Sequence, residues 1–120
     1  MKNIILLTLL FTLVLSCIVG TKPTNKRNNE AVNSLRQVYE LEMAYKEMFG
    51  NYTDNLYALV FIQDTLVTEG GNANYEVSLL EVTDSTFTAT AVSVVDSDRD
   101  GQFNTWTVNE RGIITEIIED

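Results

Sequence analysis

The hydrophobic period of this chain changes once along its length, and that change limits the folds open to it. From Glu30 to Phe49 the apolar residues Ala31, Leu35, Val38, Leu41, Tyr45 and Met48 recur at helical spacing and form one stripe. Asn29 can cap this helix, Glu30 suits the positive end of its dipole, and Glu42 precedes Lys46 by four residues, the favoured order for a helical ion pair. Gly50 stands where a left-handed residue ends a helix. After Glu69-Gly70-Gly71-Asn72 the period becomes two. Tyr75, Val77 and Leu79 alternate with Glu76, Ser78 and Leu80, and Phe87, Ala89 and Ala91 alternate with Thr88, Thr90 and Val92. Trp106 and Val108 continue the alternation, and Ile113–Ile118 closes it. Turn clusters at Thr83-Asp84-Ser85, Asp96–Gln102 and Asn109-Glu110-Arg111-Gly112 separate the four strands. One long helix followed by four closely connected strands predicts an α+β domain over residues 30–120. Its N-terminal helix packs on the apolar face of a four-stranded antiparallel meander sheet.

The link between the two periods is rich in turn residues. Gly50–Asn55 reads as a turn, with Thr53 or Asp54 capping a helical turn over Leu56–Val60 and Tyr52 packed beneath the loop. Gly70-Gly71 reads as a flexible loop without phosphate-loop context. The ten aromatic residues from Tyr39 to Trp106 are expected mostly in the core, because a body of this size needs them there.

Composition then removes whole classes of function. At 120 residues the chain holds one ordinary domain. Lys and Arg total 8 against 17 Asp and Glu, a formal charge of −9, so the basic footprint of a nucleic-acid binder is missing. With no His, the commonest general base and the commonest transition-metal ligand are both lacking. The acids fall on a helix face, in turns and at the tail Glu116, Glu119 and Asp120, where solvation explains them. These features predict a protein that is not an enzyme and has no nucleic-acid partner.

The N-terminus reads as a segment apart. Lys2 precedes the 12-residue run Ile4–Leu15, apolar except for Thr8 and Thr12. A basic start before such a run is a secretory signal, and it is shorter than the roughly 20 residues that a membrane-spanning helix needs. The run ends in Val14-Leu15-Ser16-Cys17, which resembles the lipobox of bacterial lipoproteins: an aliphatic residue at −3, a small one at −1, then Cys. That resemblance implies cleavage between Ser16 and Cys17 and covalent lipid on Cys17, the only Cys in the chain. It also implies, from Ile18 at the next position, outer-membrane sorting. The alternative is a Cys that is merely one more small hydrophobe of the signal. Residues 1–16 are thus expected to be signal peptide and 17–29 a lipid-anchored tether. Within the tether, Lys22, Lys26 and Arg27 either touch lipid head groups or are simply solvated. Loss of Lys2 with the signal takes the mature chain from −9 to −10, so the acyl group and not the protein surface must supply membrane attachment.

Asp96-Ser97-Asp98-Arg99-Asp100-Gly101 carries the one spacing suited to a metal. Carboxylates at alternate positions can converge on a hard cation, and the Gly permits the sharp turn. Gln102 can offer its backbone carbonyl and Asn104 a side-chain oxygen, which makes Asp96, Asp98, Asp100, Gln102 and Asn104 a candidate calcium set. Position twelve of the loop is Thr107 rather than a bidentate Glu, and the flanking elements are strands, so the loop is not an EF-hand. The alternative is a polar hairpin turn whose Asp residues accept bonds from local backbone N–H groups.

From about Asn33 to Ile118 the order of elements resembles the globular part of type IV pilins and type II secretion pseudopilins. The likeness rests on Ala44-Tyr45-Lys46-Glu47-Met48-Phe49-Gly50-Asn51-Tyr52-Thr53 closing the helix and on the strand wording Phe87-Thr88-Ala89-Thr90-Ala91. It rests also on Asp96–Gly101 leading into Trp106-Thr107-Val108-Asn109-Glu110-Arg111-Gly112. Around Phe11, Leu10 replaces the Gly of that family's processing site and Leu15 replaces its Glu, and polar tether follows where the filament-core helix would run. The resemblance implies a pilin-like body re-anchored by lipid outside the cytoplasm, at the outer membrane or cell surface. Such a body would be a structural or interaction module with protein partners in a pilus or secretion apparatus. The alternatives are a minor pilin or pseudopilin subunit that enters a filament, and a calcium-dependent binding module.

Overall fold

The first described element, in a computed structural model that describes residues 26–120, is the helix α1, Lys26–Phe49. It starts four residues before the expected Glu30, so Asn29 lies inside it instead of capping it. The cause is tertiary. Arg27 Nη1 donates to Ser97 Oγ at 2.6 Å, and Glu30 Oε1 accepts the backbone N–H of Asn74 at 2.7 Å and of Tyr75 at 3.2 Å. These bonds hold the first turn against the sheet although Asn28 and Asn29 are modest helix formers. At the other end Gly50 has φ +82° and its N–H bonds Lys46 O at 2.7 Å, as expected of a C-terminal glycine.

The buried face of α1 is Ala31, Leu35, Val38 and, unexpectedly, Glu42, each 0% exposed; Leu41 and Tyr45 are partly buried. Glu42 follows Val38 by four residues and so occupies the next position of the same stripe. Its Oε1 accepts the Thr53 N–H at 3.0 Å, and Oε2 is buried without a hydrogen-bond partner. Lys46 is not its ion-pair partner: the ammonium sits 4.5 Å from the centre of the Tyr52 ring. Met48 leaves the stripe for solvent, and Phe49 does likewise while leaning on Tyr45.

Tyr52 is buried beneath the connection as expected, edge-on to Phe87 with centroids 4.9 Å apart. The helical turn expected over Leu56–Val60 is a run of bonded turns, capped by Asn55 rather than by Thr53 or Asp54. Asn55 Oδ1 accepts the N–H groups of Tyr57 and Ala58, and Thr53 Oγ1 accepts that of Asn55. Val60, with φ +59°, ends the run in a conformation that a β-branched residue adopts only under strain. Gly71 is no flexible link: a Cβ there would lie 2.0 Å from Thr65 O, so the glycine is needed where two stretches of backbone meet.

The sheet is the expected antiparallel meander, ordered β1 (Tyr75–Leu80), β2 (Thr88–Ser93), β3 (Thr105–Asn109) and β4 (Ile114–Ile118). Tyr75, Val77, Ala89, Ala91 and Val108 turn their side chains to α1 and are buried with Phe87. The opposite face carries hydroxyls: Ser78, Thr90, Thr107 and Thr115 stand in one row of the register across all four strands. Of the ten aromatic residues, Tyr52, Phe61, Tyr75 and Phe87 are core and Tyr39, Tyr45 and Trp106 pack against it, as expected of most of them, whereas Phe49, Tyr57 and Phe103 are exposed. Among the described residues no helix is long and apolar enough to cross a membrane.

Glu42 gives this fold a pH dependence. Burial pushes its carboxyl above the ordinary 4.5, against the Thr53 bond and with help from Asp54. A raised folded-state pKa means that the folded chain holds the proton more tightly than the unfolded one. Destabilisation is therefore absent below the ordinary value and grows as pH rises. Chemical denaturation of the native chain should show stability falling as pH rises above the ordinary 4.5, and Glu42→Gln, which keeps the acceptor for Thr53, should flatten that slope.

Candidate functional site

The Asp96–Gly101 loop joins β2 to β3, and its shape follows from its own carboxylates. Asp96 Oδ2 accepts the Gly101 N–H at 2.8 Å, Asp98 Oδ1 that of Asp100 at 3.1 Å, and Asp100 Oδ1 that of Gln102 at 2.8 Å. Left-handed backbone at Arg99 and Gly101 completes the reversal. These bonds are the ones expected of a polar hairpin turn. The loop nevertheless also gathers its acids. One carboxylate oxygen from each of Asp96, Asp98, Asp100 and Asp120 lies within 4.8 Å of the other three.

Asp120 is the member that the sequence spacing did not offer. It arrives from beyond β4, where Oδ2 accepts the Ser97 N–H at 2.8 Å and Oδ1 that of Asp98 at 3.3 Å. Its position depends on the register of β4 and β3, and no local motif announces that. Of the other expected members, Gln102 donates its N–H to Asp100 and is exposed. Asn104 does not join the acids; it is buried and its side chain is fully used elsewhere. Its Oδ1 accepts the Tyr75 hydroxyl at 2.5 Å and the Trp106 indole N–H at 2.8 Å. Its Nδ2 donates to Glu116 Oε1 at 2.6 Å and to Ile118 O at 2.9 Å. Asn104 is thus a joint between β1, β3 and β4. Ser16 and Cys17, the expected cleavage and lipid positions, lie outside the described residues.

Crowding sets the electrostatics. Asp98 is lowered by the Asp100 N–H, but desolvation and the neighbouring carboxyls of Asp100 and Asp120 outweigh this and push it up to about 6. Asp120 moves the opposite way, held below the usual carboxylate range by the N–H groups of Ser97 and Asp98 against a smaller desolvation. The two titrate as a pair, with Asp98 keeping the proton to higher pH. Asp96 Oδ1 is buried without a hydrogen-bond partner. Beside the loop, Tyr75 is pushed up to about 12 by burial and then by Glu30 and Glu116, which keeps its hydroxyl a donor to Asn104. Chemically, the cluster can accept a hard cation or a proton.

The described body has a known counterpart in shape. The crystal structure of the non-core minor pilin PilV of Neisseria meningitidis superposes with a TM-score of 0.52 at 20% sequence identity, covering 73% of this chain and 80% of that one. The fold is pilin-like. No protein-family model and no curated protein matches the sequence.

Asn104→Ala strips partners from a buried phenol and an indole. It should lower stability by roughly 2 kcal/mol or more, since each buried donor left unpaired costs about 1–3 kcal/mol. Denaturant unfolding checks the loss, and a changed Trp106 emission in the folded state places it at this joint.

Proposed function

We propose that this chain is a non-enzymatic, lipid-anchored, pilin-like module on the extracytoplasmic face of a bacterial membrane, serving as a structural or interaction part beside a pilus or secretion apparatus. The observation that carries the reading is the pilin-like body itself, entered through α1 only a short stretch after Cys17. The signal-like run before Cys17 supports export, and the replacement of the pilin processing residues by Leu10 and Leu15 supports lipid attachment over a filament-core helix. The alternative within the same fold is a minor pilin or pseudopilin subunit that assembles into a filament, and the two differ in where the mature chain begins. Intact-mass and N-terminal analysis of the native protein should show a chain that starts at acylated Cys17, and Cys17→Ala should release it from the membrane fraction. A mature chain that starts at Phe11 and sediments with a filament would overturn the reading in favour of the subunit.

A second reading adds calcium, and the arrival of Asp120 beside Asp96, Asp98 and Asp100 favours it. Three loop carboxylates joined by Asp120 at a largely exposed site fit weak, extracellular-type affinity, with a Kd on the order of 10⁻⁴–10⁻³ M. Binding requires Asp98 ionised, so affinity should rise with pH through about 6, and proton release should accompany binding below that. Calorimetry with Ca²⁺ on the full chain should show heat at pH 7, a weaker response at pH 5, and none for Asp98→Ala. Absence of both heat and a melting shift at pH 7 removes calcium from the account.

A further inference from the structure

The two edges of the sheet are finished differently. Beside β1 runs the segment Gln63–Val67, and the Gln63 side-chain amide stands in for the peptide unit of a neighbouring strand. Its Nε2 donates to Tyr75 O at 3.0 Å and its Oε1 accepts the Val77 N–H at 2.9 Å. Glu30 takes the next N–H groups, those of Tyr75 and Asn74, and a parallel bridge joins Leu66 to Ala73. The β1 edge is therefore covered over its first half, from Asn74 to Val77. At β4 nothing comparable happens among the described residues. β4 pairs with β3 on one side, and no side chain or backbone group closes its other side. An open strand edge is a template for pairing. This one is β-branched at four of its five positions; Ile117 is 56% exposed on it and Ile113, just before it, 52%.

Charge narrows the occupant. Residues 110–120 carry Glu110, Glu116, Glu119 and Asp120 against one base, Arg111, and the described residues hold all 17 acids of the chain with six of its eight bases. A second copy would bring the same excess of negative charge to the same edge, which opposes self-pairing. A strand that alternates cationic and β-branched residues meets both demands: main-chain bonds and apolar contact along Ile114–Ile118, and opposite charge at Glu119 and in the acidic excess around it.

We infer that the free edge of β4 is a partner-binding surface, and that it takes an extended segment of another protein, basic and β-branched in alternation, as a fifth strand. The inference rests on reading the body as an interaction module and is independent of how the chain is anchored. The competing explanation is that the acids merely guard the edge against pairing of any kind.

The test uses isotope-labelled full-length chain and a capped peptide of alternating lysine and valine. Addition of the peptide should shift the backbone amides of Ile113–Ile118 and leave those of Tyr75–Leu80 in place, with binding weakened roughly tenfold by molar salt. A glutamate–valine peptide should bind far less. Adjacent residues of an edge strand point their N–H groups to opposite sides, so one of Thr115→Pro and Glu116→Pro removes an outward N–H and leaves the β3–β4 ladder whole. The variant of the two that stays folded should lose the peptide. Shifts that map to another surface, equal binding of the acidic peptide, self-association through β4, or no binding overturns the proposal. None of these outcomes bears on acylation at Cys17, which fails or stands by the mass measurement.

Discussion

The seat of α1 on β2 is the contact on which the rest of the molecule depends. A four-stranded antiparallel sheet with one polar face cannot stand alone, since its other face must be taken out of water. Here that face is floored by Ala89 and Ala91, both fully buried, with Val108 beside them, and α1 lays Ala31, Leu35 and Val38 upon it. Alanine is a poor strand former, and its presence at the centre of the sheet makes sense only because a helix comes close there. Larger side chains surround this seat: Phe87 and Tyr52 meet edge-on, and Tyr39 lies against Gly112 so closely that a Cβ there would come within 3.0 Å of its ring. Helix, connection and last hairpin are thereby fixed to one frame.

A second constraint, polar rather than apolar, operates where α1 begins. Arg27 reaches Ser97, Glu30 reaches Asn74 and Tyr75, Tyr75 reaches Asn104, and Asn104 holds Glu116 and Ile118. The start of the helix, the start of β1, the acidic loop and the end of β4 form one connected group through these bonds. At this corner the carboxylates of Asp96, Asp98, Asp100 and Asp120 crowd together and repel one another. Proton uptake by Asp98 and cation capture by the cluster are the two chemical means of relieving that repulsion.

The part of this architecture legible in the sequence is the part governed by period. The change from a 3.6 to a 2.0 repeat sets the helix, the four strands and their order, because each element has one apolar face and the connections are too short for crossovers. Gly50 and the Asn109–Gly112 turn were equally readable, since both rest on local backbone chemistry. Illegible were the features that depend on register between distant segments. Nothing near Asp120 shows that it will face Asp98, and nothing in Asn104 distinguishes a loop ligand from a buried joint until Tyr75 and Trp106 are brought to it. Glu42 is an intermediate case. Its position continues the spacing 31, 35, 38, but its charge argues for solvent, and only the turn at Thr53 supplies the donor that lets it stay inside. The start of α1 was misplaced for the opposite reason: weak local propensity at Asn28 and Asn29 was overridden by tertiary bonds.

Surface charge and sheet edge must be considered together, because each alters the meaning of the other. An open strand of isoleucines on a neutral protein would invite pairing with any copy of itself and, with it, aggregation. On this body an excess of acids raises the electrostatic work of bringing two copies together, while Gln63 and Glu30 cover the first half of the other edge with hydrogen bonds. A protein seeking only to avoid pairing could have covered both edges in the same way, since a side-chain amide placed beside β4 would block every partner alike. Repulsion is a selective barrier: it excludes anionic strands, including its own, and lowers the barrier for cationic ones. On the inferred role of β4, the difference between the two edges is a difference in selectivity.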